Sequence, residues 1–386
     1  MYLIPIQNKL RIVRLQTVLF LFFLYFLSSC VSKSDSLVWY NPENDSVCVI
    51  QNRGWNTEIG NKYTRFPDRI KDSVRSELWK LSRNSAGLTL LFKSSAKSFR
   101  LRYKVTGDLA LPNMTAMAVS GVDLYCKKEN NTDLRILGSF DVERTKIINC
   151  EFHHTLQNDL DKKGLPFCLF LPLYNEVEWL EIGIPKNEFF EWLPVGLNSP
   201  IVVYGTSIVQ GASASHPAMA WTSILQRRLD TPLINLGFSG NGRLEKNVIQ
   251  LMTELNASLF ILDCLPNLDK AEYIEKTEIL LTDAVNQIRK KSDSPILLIE
   301  HLGFSCNSSD STYYNRMDKV NKSSWRAFKR LEEQGVNGLY YLSNSDISFP
   351  LNGWVDHIHP NDIGMVHLEK IVEKKIRQIF DHKVIE

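Results

Sequence analysis

The feature that most constrains the fold is an apolar run that ends in a glycine and a serine. Residues 200–204 read PIVVY, and Gly205, Thr206 and Ser207 follow directly. Short β-branched runs of this kind are typical of strands buried in a parallel sheet, and this run predicts a strand at 201–204. Ser207 is therefore expected in the turn at the carboxyl end of a strand, where open α/β sheets place their chemistry. A simple helix-entry turn is the alternative reading of the same stretch.

The chain beyond residue 200 continues as an alternation of strands and helices. Apolar runs predict further strands at 232–236, 258–263, 295–300 and 338–342. Amphipathic patterns between them predict helices at about 218–229, 243–255, 270–291 and 313–334, and a last one from His367 onward. Such alternation with short connections predicts a mostly parallel sheet that has helices on both faces.

The preceding part of the chain has a different pattern. Strand-like segments, several of which alternate apolar and polar residues, occur at 88–92, 98–103, 167–171 and 177–182, and polar turn-like clusters separate them. This spacing favours an antiparallel β-sandwich or jelly-roll. One helix is predicted at 67–81. The aromatic, proline-containing stretch 189–200 is the predicted junction, so we expect a β-domain at 38–198 and an α/β domain at 199–386.

The first thirty residues have the pattern of a targeting segment. Lys9, Arg11 and Arg14 form a positive region, and the apolar stretch 17–27 is too short to span a bilayer. The segment closes with LSSC, which resembles a bacterial lipobox with Cys30 as the lipidated residue. This predicts a signal peptide at 1–30, a polar tether at 31–37 and a lipid anchor in the bacterial cell envelope, periplasmic or surface-exposed. An ordinary signal peptide is the alternative.

Composition excludes some classes of partner and cofactor. The 386 residues carry a net charge of +2 with no basic block, so no nucleic-acid partner is expected. The cysteines beyond Cys30 show neither a disulfide framework nor metal-ligand spacing, and no pairing is predicted. His357 and His359 lack the further ligands of a metal site. We therefore expect no metal and no cofactor.

Three further blocks accompany the serine. Residues 237–240 read GFSG after a strand, residues 264–267 read CLPN after the next strand, and residues 356–359 read DHIH near the end of the chain. Serine, glycine, asparagine and histidine in this order resemble the SGNH (GDSL-like) esterase superfamily. Residues 121–125, GVDLY, resemble the N-terminal region of its two-domain branch. They also read as an ordinary sandwich strand, with a role in shaping the cleft as the alternative.

The resemblance implies a fold and a set of roles. It implies a flavodoxin-like three-layer α/β/α domain in which Ser207 is the nucleophile, His359 the base and Asp356 its carboxylate partner. The implied oxyanion hole consists of the backbone N–H groups of Ser207 and Gly240 and the side-chain amide of Asn267. His357, His216 and His301 are the other histidines considered.

Two blocks depart from the family pattern. GTSI replaces the usual Gly-Asp-Ser-Leu, and CLPN replaces Gly-x-Asn-Asp. The resemblance implies a carboxylic ester hydrolase that acts on small O-acyl groups, foremost acetyl, on an acylated small molecule or polysaccharide. An acyltransferase to an acceptor other than water is the first alternative. A carbohydrate-binding lipoprotein without catalysis is the second, and the presence of Ser207, Asn267, Asp356 and His359 counts against it.

Overall fold

The computed structural model describes residues 36–127, 133–156, 164–306 and 309–383. The predicted signal peptide with Cys30, and the tether up to residue 35, lie outside the described residues. Within the described ranges no helix is both long and apolar enough to cross a membrane.

The N-terminal half is built mainly from antiparallel strands. Its strands in the described part of the chain are β1 Leu37–Tyr40, β2 Ile50–Gln51, β3 Thr89–Ser94, β4 Ser98–Val105, β5 Asp123–Cys126, β6 Leu134–Ile136, β7 Gly138–Val142, β8 Ile147–His153, β9 Leu165–Phe170, β10 Val177–Pro185 and β11 Phe190–Trp192. Its short helices are α1 Asn56–Ile59, α2 Ser76–Ser82 and α3 Ala116–Ser120. The predicted helix at 67–81 is a 3₁₀ segment, Asp68–Ser73, followed by α2.

These strands form two sheets that enclose one apolar core. One sheet has the order β1-β10-β4-β8-β7, and the other has the order β11-β3-β9-β5-β6 with β2 beside β3. Strand β4 alternates buried and more exposed side chains along its length, as a strand with one face in a core does. Phe92 and Phe167 of one sheet pack against Phe99 of the other. The predicted β-sandwich is confirmed.

The C-terminal half is an α/β structure. Its strands are β12 Ile201–Gly205, β13 Leu233–Gly237, β14 Leu259–Asp263, β15 Ile296–Ile299 and β16 Leu339–Leu342. Its helices in the described residues are α4 Ser207–Gln210, α5 Trp221–Leu229, α6 Lys246–Met252, α7 Ala271–Ile274, α8 Thr277–Arg289, α9 Ser311–Glu333, α10 Asn344–Ile347 and α11 Asp362–Lys383. The strand order is β13-β12-β14-β15-β16 and every pair is parallel. This is the flavodoxin-like order, with the topological switch point beside β12.

Helices cover both faces of the parallel sheet. Along β12, Val202 and Tyr204 enter the core formed with α6, α8 and α9, whereas Ile201 and Val203 enter the core formed with α5 and α11. Successive side chains of a strand point to opposite faces, so one fully apolar strand supplies both cores. The predicted three-layer α/β/α arrangement is confirmed.

The two halves also share these cores. Trp55, Phe66 and Leu78 pack into the core on the α6 side of the parallel sheet. Met114 and Leu173 pack into the core on the α5 side. Apolar residues of the N-terminal half are thus part of the framework around the parallel sheet, and the chain division at residue 198 stays a prediction.

Candidate active site

Ser207 lies where the sequence pattern predicts it, directly beyond the carboxyl end of β12. It is the first residue of α4, and the Thr206 hydroxyl caps that helix by accepting the Ile208 N–H at 3.3 Å. Gly205 permits the close approach of the neighbouring strand, because a Cβ there would lie 2.5 Å from the Asp263 carbonyl oxygen. Only 8% of Ser207 is exposed. The serine therefore sits at the topological switch point with restricted access.

Ser207, His359 and Asp356 form one hydrogen-bonded chain. The Ser207 Oγ lies 2.9 Å from His359 Nε2, and His359 Nδ1 lies 2.7 Å from Asp356 Oδ2. A carboxylate only accepts hydrogen bonds, so Nδ1 carries the imidazole proton and Nε2 accepts from the serine hydroxyl. This is the arrangement in which a histidine can take the proton of an attacking serine.

The loop between α10 and α11 explains why a spacing of three residues suffices for the acid and the histidine. Asp356 Oδ1 accepts the backbone N–H groups of Ile358 at 2.9 Å and His359 at 2.8 Å, and this folds the loop into a tight turn. The Val355 N–H donates to the His359 carbonyl at 2.9 Å and closes the loop. Both side chains therefore emerge on the same side, towards Ser207.

The carboxylate of Asp356 is held in its charged form. Partial burial acts to raise its pKa, but the hydrogen bonds from His359 and from the two backbone N–H groups outweigh burial and lower the pKa to about 2. Asp356 is therefore an ionised acceptor at any pH at which the protein would work, and it stabilises positive charge on the imidazole.

The loop after β13 carries Gly240 and is held from several directions. Gly240 has a φ of +66°, a conformation that favours glycine, and its carbonyl accepts Arg243 Nη2 at 2.7 Å. The Ser239 N–H donates to Gln210 Oε1 of α4 at 3.0 Å, which ties this loop to the helix that Ser207 begins. No hydrogen bond of the Gly240 N–H is found in the described part of the chain.

Asn267 lies in a 3₁₀ turn, Leu265–Asn267, just beyond β14. Its amide Nδ2 donates to the Gly242 carbonyl at 3.1 Å and lies 3.4 Å from the Phe238 carbonyl. In this structure the amide thus binds the loop that carries Gly240. The second contact is longer than an ordinary N–H···O bond.

The other three histidines occupy different positions. His357 is exposed, and its ring packs beside Phe304 at 6.1 Å between centroids. His301 is fully buried, and burial first and then the charge of Arg316 lower its pKa to about 3. His216 Nδ1 lies 2.7 Å from Asp123 Oδ2. None of them has a hydrogen bond to Ser207 among the described residues.

Asp123, the aspartate of the GVDLY segment, links the two halves of the molecule. It is 2% exposed; its Oδ2 accepts from His216 and from the Ala218 N–H at 2.8 Å, and its Oδ1 accepts Arg135 Nη2 at 2.8 Å. Burial acts to raise the pKa of Asp123, but these hydrogen bonds and the Arg135 charge outweigh it and lower the pKa. Asp123 is the first residue of β5, as expected of a sandwich strand. Its side chain also holds the segment that follows the Ser207 helix.

Sequence reasoning missed one residue at the site. Asn113, in the loop before α3, has its amide Nδ2 3.3 Å from Asp356 Oδ2. The blocks that carry the resemblance lie in the α/β half and at residues 121–125 of the β half, and none of them contains Asn113. Only the fold brings this loop to Asp356.

The described residues contain neither a cluster of potential metal ligands nor a disulfide bond. No group of three or more His, Cys, Asp or Glu side chains there could hold a metal ion. The six cysteines that the structure describes are free thiols, and Cys264, next to the strand end before Asn267, is buried.

Sequence comparison matches both halves of the chain to families. Residues 198–377 match the GDSL-like Lipase/Acylhydrolase family, and residues 37–190 match the family described as the N-terminus of Esterase_SGNH_hydro-type, GxDLY. No curated protein matches the chain.

Structure comparison finds chains of the same two-part build. A GDSL-like lipase from Bacteroides ovatus is similar with a TM-score of 0.80 and 27% identity over 90% of this chain and 98% of that one. A salicylyl-acyltransferase from a tetracycline biosynthetic pathway has a TM-score of 0.72 and 14% identity over 89% and 97% of the two chains. A family two carbohydrate esterase from Cellvibrio japonicus has a TM-score of 0.55 and 11% identity over 90% and 98%. At their low identities the last two show a shared fold.

The two family matches are consecutive, and they coincide with the β-sandwich and with the α/β half that carries Ser207 and His359. The structural similarity to the Bacteroides ovatus lipase extends over both parts. The chain therefore belongs to the SGNH (GDSL-like) hydrolase superfamily, in the branch with an N-terminal GxDLY domain, and is a hydrolase of ester bonds.

Proposed function

We propose that the protein is a serine esterase that removes small O-acyl groups, foremost acetyl, from a carbohydrate. The observation that carries this proposal is the chain of hydrogen bonds from Ser207 Oγ through His359 to Asp356, at 2.9 Å and 2.7 Å. Those are the distances expected of a serine, its general base and the carboxylate that orients the base.

The proposed reaction proceeds through an acyl-enzyme. Ser207 Oγ attacks the ester carbonyl carbon while His359 Nε2 takes the hydroxyl proton, and the Asp356 carboxylate stabilises the imidazolium that results. The bond between the carbonyl carbon and the alcohol oxygen then breaks, and the imidazolium protonates the departing alcohol. Water, deprotonated by the same imidazole, attacks the carbonyl carbon of the acyl-serine. The bond between that carbon and Ser207 Oγ breaks, the imidazolium returns its proton to Oγ, and the carboxylic acid leaves.

The proposed oxyanion hole faces the charge that develops on the carbonyl oxygen. Its donors are the backbone N–H groups of Ser207 and Gly240, together with the Asn267 amide. The 3.4 Å contact from this amide to the Phe238 carbonyl is longer than an ordinary hydrogen bond, so this carbonyl competes only weakly with a substrate oxyanion for the amide N–H. The 3.1 Å bond to the Gly242 carbonyl keeps the amide beside the loop that carries Gly240.

Restricted access supports a small acyl group. Ser207 is 8% exposed, so a compact group such as acetyl reaches its Oγ more readily than a long chain does. The carbohydrate preference rests on the family two carbohydrate esterase of the same fold. Transfer of the acyl group to an acceptor other than water is the second candidate, which the salicylyl-acyltransferase of the same fold favours.

The proposal is tested with the purified protein and p-nitrophenyl acetate. We expect the wild type to release p-nitrophenol and Ser207→Ala to release none. In a second assay with acetylated polysaccharides, we expect the wild type to release acetate. Adding an alcohol acceptor separates the two candidates, because a transferase forms the new ester faster than free acetate. Acetate release that is equal for the wild type and Ser207→Ala would contradict the proposal.

We also propose that the protein is anchored in the bacterial cell envelope through Cys30. The support is the LSSC sequence that closes the apolar segment 17–27. Cys30→Ser should prevent lipid labelling and leave the protein unprocessed or soluble, as judged by fractionation and radiolabelled fatty acid. A variant that remains labelled and bound to membranes would refute the anchor.

A further inference from the structure

The loop of the β half that contains Asn113 reaches the centre of the active site. It lies between β4 and α3, and reciprocal backbone hydrogen bonds of 3.1 and 3.0 Å between Leu111 and Met114 close it into a tight turn. At its tip, Asn113 Nδ2 lies 3.3 Å from three atoms: Asp356 Oδ2, His359 Nδ1 and Ser213 Oγ.

Counting protons shows which of these contacts are hydrogen bonds. The amide of Asn113 has two N–H groups and needs two acceptors. His359 Nδ1 already donates its own proton to Asp356, so it has no lone pair to offer. The acceptors are therefore Asp356 Oδ2 and Ser213 Oγ. The Ser213 hydroxyl in turn donates to the Asn113 carbonyl at 3.1 Å, so Asn113 and Ser213 bind each other reciprocally.

The hydrogen bond from Asn113 Nδ2 to Asp356 Oδ2 completes the set of donors around the Asp356 carboxylate. Asp356 Oδ1 is held by two N–H groups of its own loop, whereas Oδ2 binds only His359 from within that loop. Asn113 supplies the second donor found for Oδ2 in the part of the chain that the structure describes. It fixes the oxygen whose position sets the tilt of the imidazole, and thereby the approach of Nε2 to Ser207.

The same amide also holds the connection that follows the nucleophile. Ser213 lies three residues beyond Gln210, the end of α4, and has a φ of +67°, which is an uncommon conformation for serine. It is buried, and both hydrogen bonds that its hydroxyl makes among the described residues are with Asn113. One asparagine of the β half thus joins the segment after Ser207 to the loop of Asp356 and His359.

We propose that Asn113 is a positioning residue that acts through Asp356, so that the active site is complete only when the β half is docked. This inference rests on the proposed function, because it assigns Asn113 to the same triad. The alternative is that Asn113 contributes only to the packing of the two halves.

The test measures kcat and KM for p-nitrophenyl acetate in Asn113→Leu, which keeps the volume and removes both donors. We expect kcat to fall about tenfold with KM changed less than twofold, because a hydrogen bond to a charged acceptor is lost. Asn149→Ala is the matched control, since Asn149 is an amide of strand β8 that binds Glu143, a surface residue. Its kinetics should equal those of the wild type.

A double-mutant cycle separates positioning from packing. In the Asp356→Ala background, Asn113→Leu should cause less than a twofold further loss, because the acceptor through which it acts is gone. Asn113→Asp provides a second variant of nearly the same shape, and it should lose at least as much kcat by placing a carboxylate against Asp356. Full kcat in both Asn113 variants, or the same loss in both backgrounds, would overturn the proposal.

The same assay distinguishes this inference from the proposed function. If Ser207→Ala and His359→Ala retain activity, the proposed function fails. If those two variants are inactive while the Asn113 variants match the wild type, only the role of Asn113 fails.

Discussion

The α/β half and the β half both reach Ser207, but they contribute different kinds of groups. The α/β half supplies every reacting group of the proposed mechanism, from the loops that follow its parallel strands. The β half supplies hydrogen bonds that hold these loops, or the strand end before one of them, from Asn113, Asp123 and Arg65. The comparison indicates that chemistry arises from short motifs in one half, whereas its geometry depends on contacts made across the molecule.

Arg65 illustrates the supporting role. Its fully buried guanidinium donates to the carbonyls of Asn235 at 3.2 Å and Gly237 at 2.6 Å, and it lies over the Phe238 ring at 4.6 Å. These residues form the end of β13, directly before the loop of Gly240. A residue far away in sequence thus fixes the strand end from which one proposed oxyanion donor projects.

The largest expected effects belong to the reacting groups. Ser207→Ala and His359→Ala should each lower kcat about 10⁴-fold or more, because members of a triad act as one unit. Asp356→Ala should lose less, since the imidazole keeps part of its orientation. His357→Ala should stay within a few-fold of the wild type. Steady-state kinetics on the folded variants decides the assignment, and an inactive His357 variant beside an active His359 variant would reverse it.

The next effect concerns the oxyanion hole. Asn267→Ala should lower kcat about a hundredfold, because its amide acts on charge that exists only in the transition state. The free energy of unfolding, measured in urea, should change little in comparison with the loss of kcat. If turnover stays near the wild-type value, Asn267 serves only to hold the loop of Gly240, and another group supplies the third donor.

A smaller effect on catalysis, but a clear one on stability, is expected for Asp123. Asp123→Ala leaves His216, Arg135 and the Ala218 N–H without their acceptor, so the free energy of unfolding should fall by about 2–4 kcal/mol. The kcat of the folded variant should fall less than tenfold, because every reacting group remains. Asp141→Ala, on the exposed edge strand β7, is the control and should lie within about 0.5 kcal/mol of the wild type. A variant inactive yet fully stable would contradict this division of roles.

A further effect, on stability and not on catalysis, is a pH dependence that originates in the α/β half itself. Asp263 ends β14 fully buried, neither of its carboxylate oxygens has a partner among the described residues, and burial raises its pKa to about 7. Between about pH 4 and 7 the folded chain therefore binds a proton that the unfolded chain has released, so stability falls as pH rises through this window.

Asp263→Asn should reduce that fall in stability. The measurement is the free energy of unfolding in urea at pH 5 and at pH 8, for the wild type and the variant. We expect the wild type to lose more stability than the variant between the two values. An identical loss in both proteins would show that another group carries the pH dependence.

Much of the fold was predictable because local patterns determine it. Every predicted strand of the α/β half, from 201–204 to 338–342, matches a strand of the structure to within about one residue at either end. Its helices were placed less well, since the predicted helix at 270–291 is two helices, α7 and α8. Apolar runs mark strands by themselves, whereas the break between α7 and α8 depends on how the chain packs.

The site was predictable only where its residues lie in motifs. Ser207 and the pair Asp356 and His359 were named from short blocks, and the structure brings all three together. Asn113 and Arg65 have no such signal, because Asn113 acts through a hydrogen bond to Asp356 and Arg65 through hydrogen bonds to the end of β13, and both partners are distant in sequence. Such contacts follow from tertiary packing, which single-sequence patterns do not encode.

The most direct test of the central claim, that Ser207 is a nucleophile activated by His359, is covalent labelling with diisopropyl fluorophosphate. We expect mass spectrometry to find one phosphoryl adduct on the Ser207 peptide, with hydrolysis of p-nitrophenyl acetate lost in proportion to labelling. Ser207→Ala and His359→Ala should both remain unlabelled, whereas His357→Ala should label like the wild type. An adduct on another serine, or full hydrolysis by protein labelled at Ser207, would contradict the account.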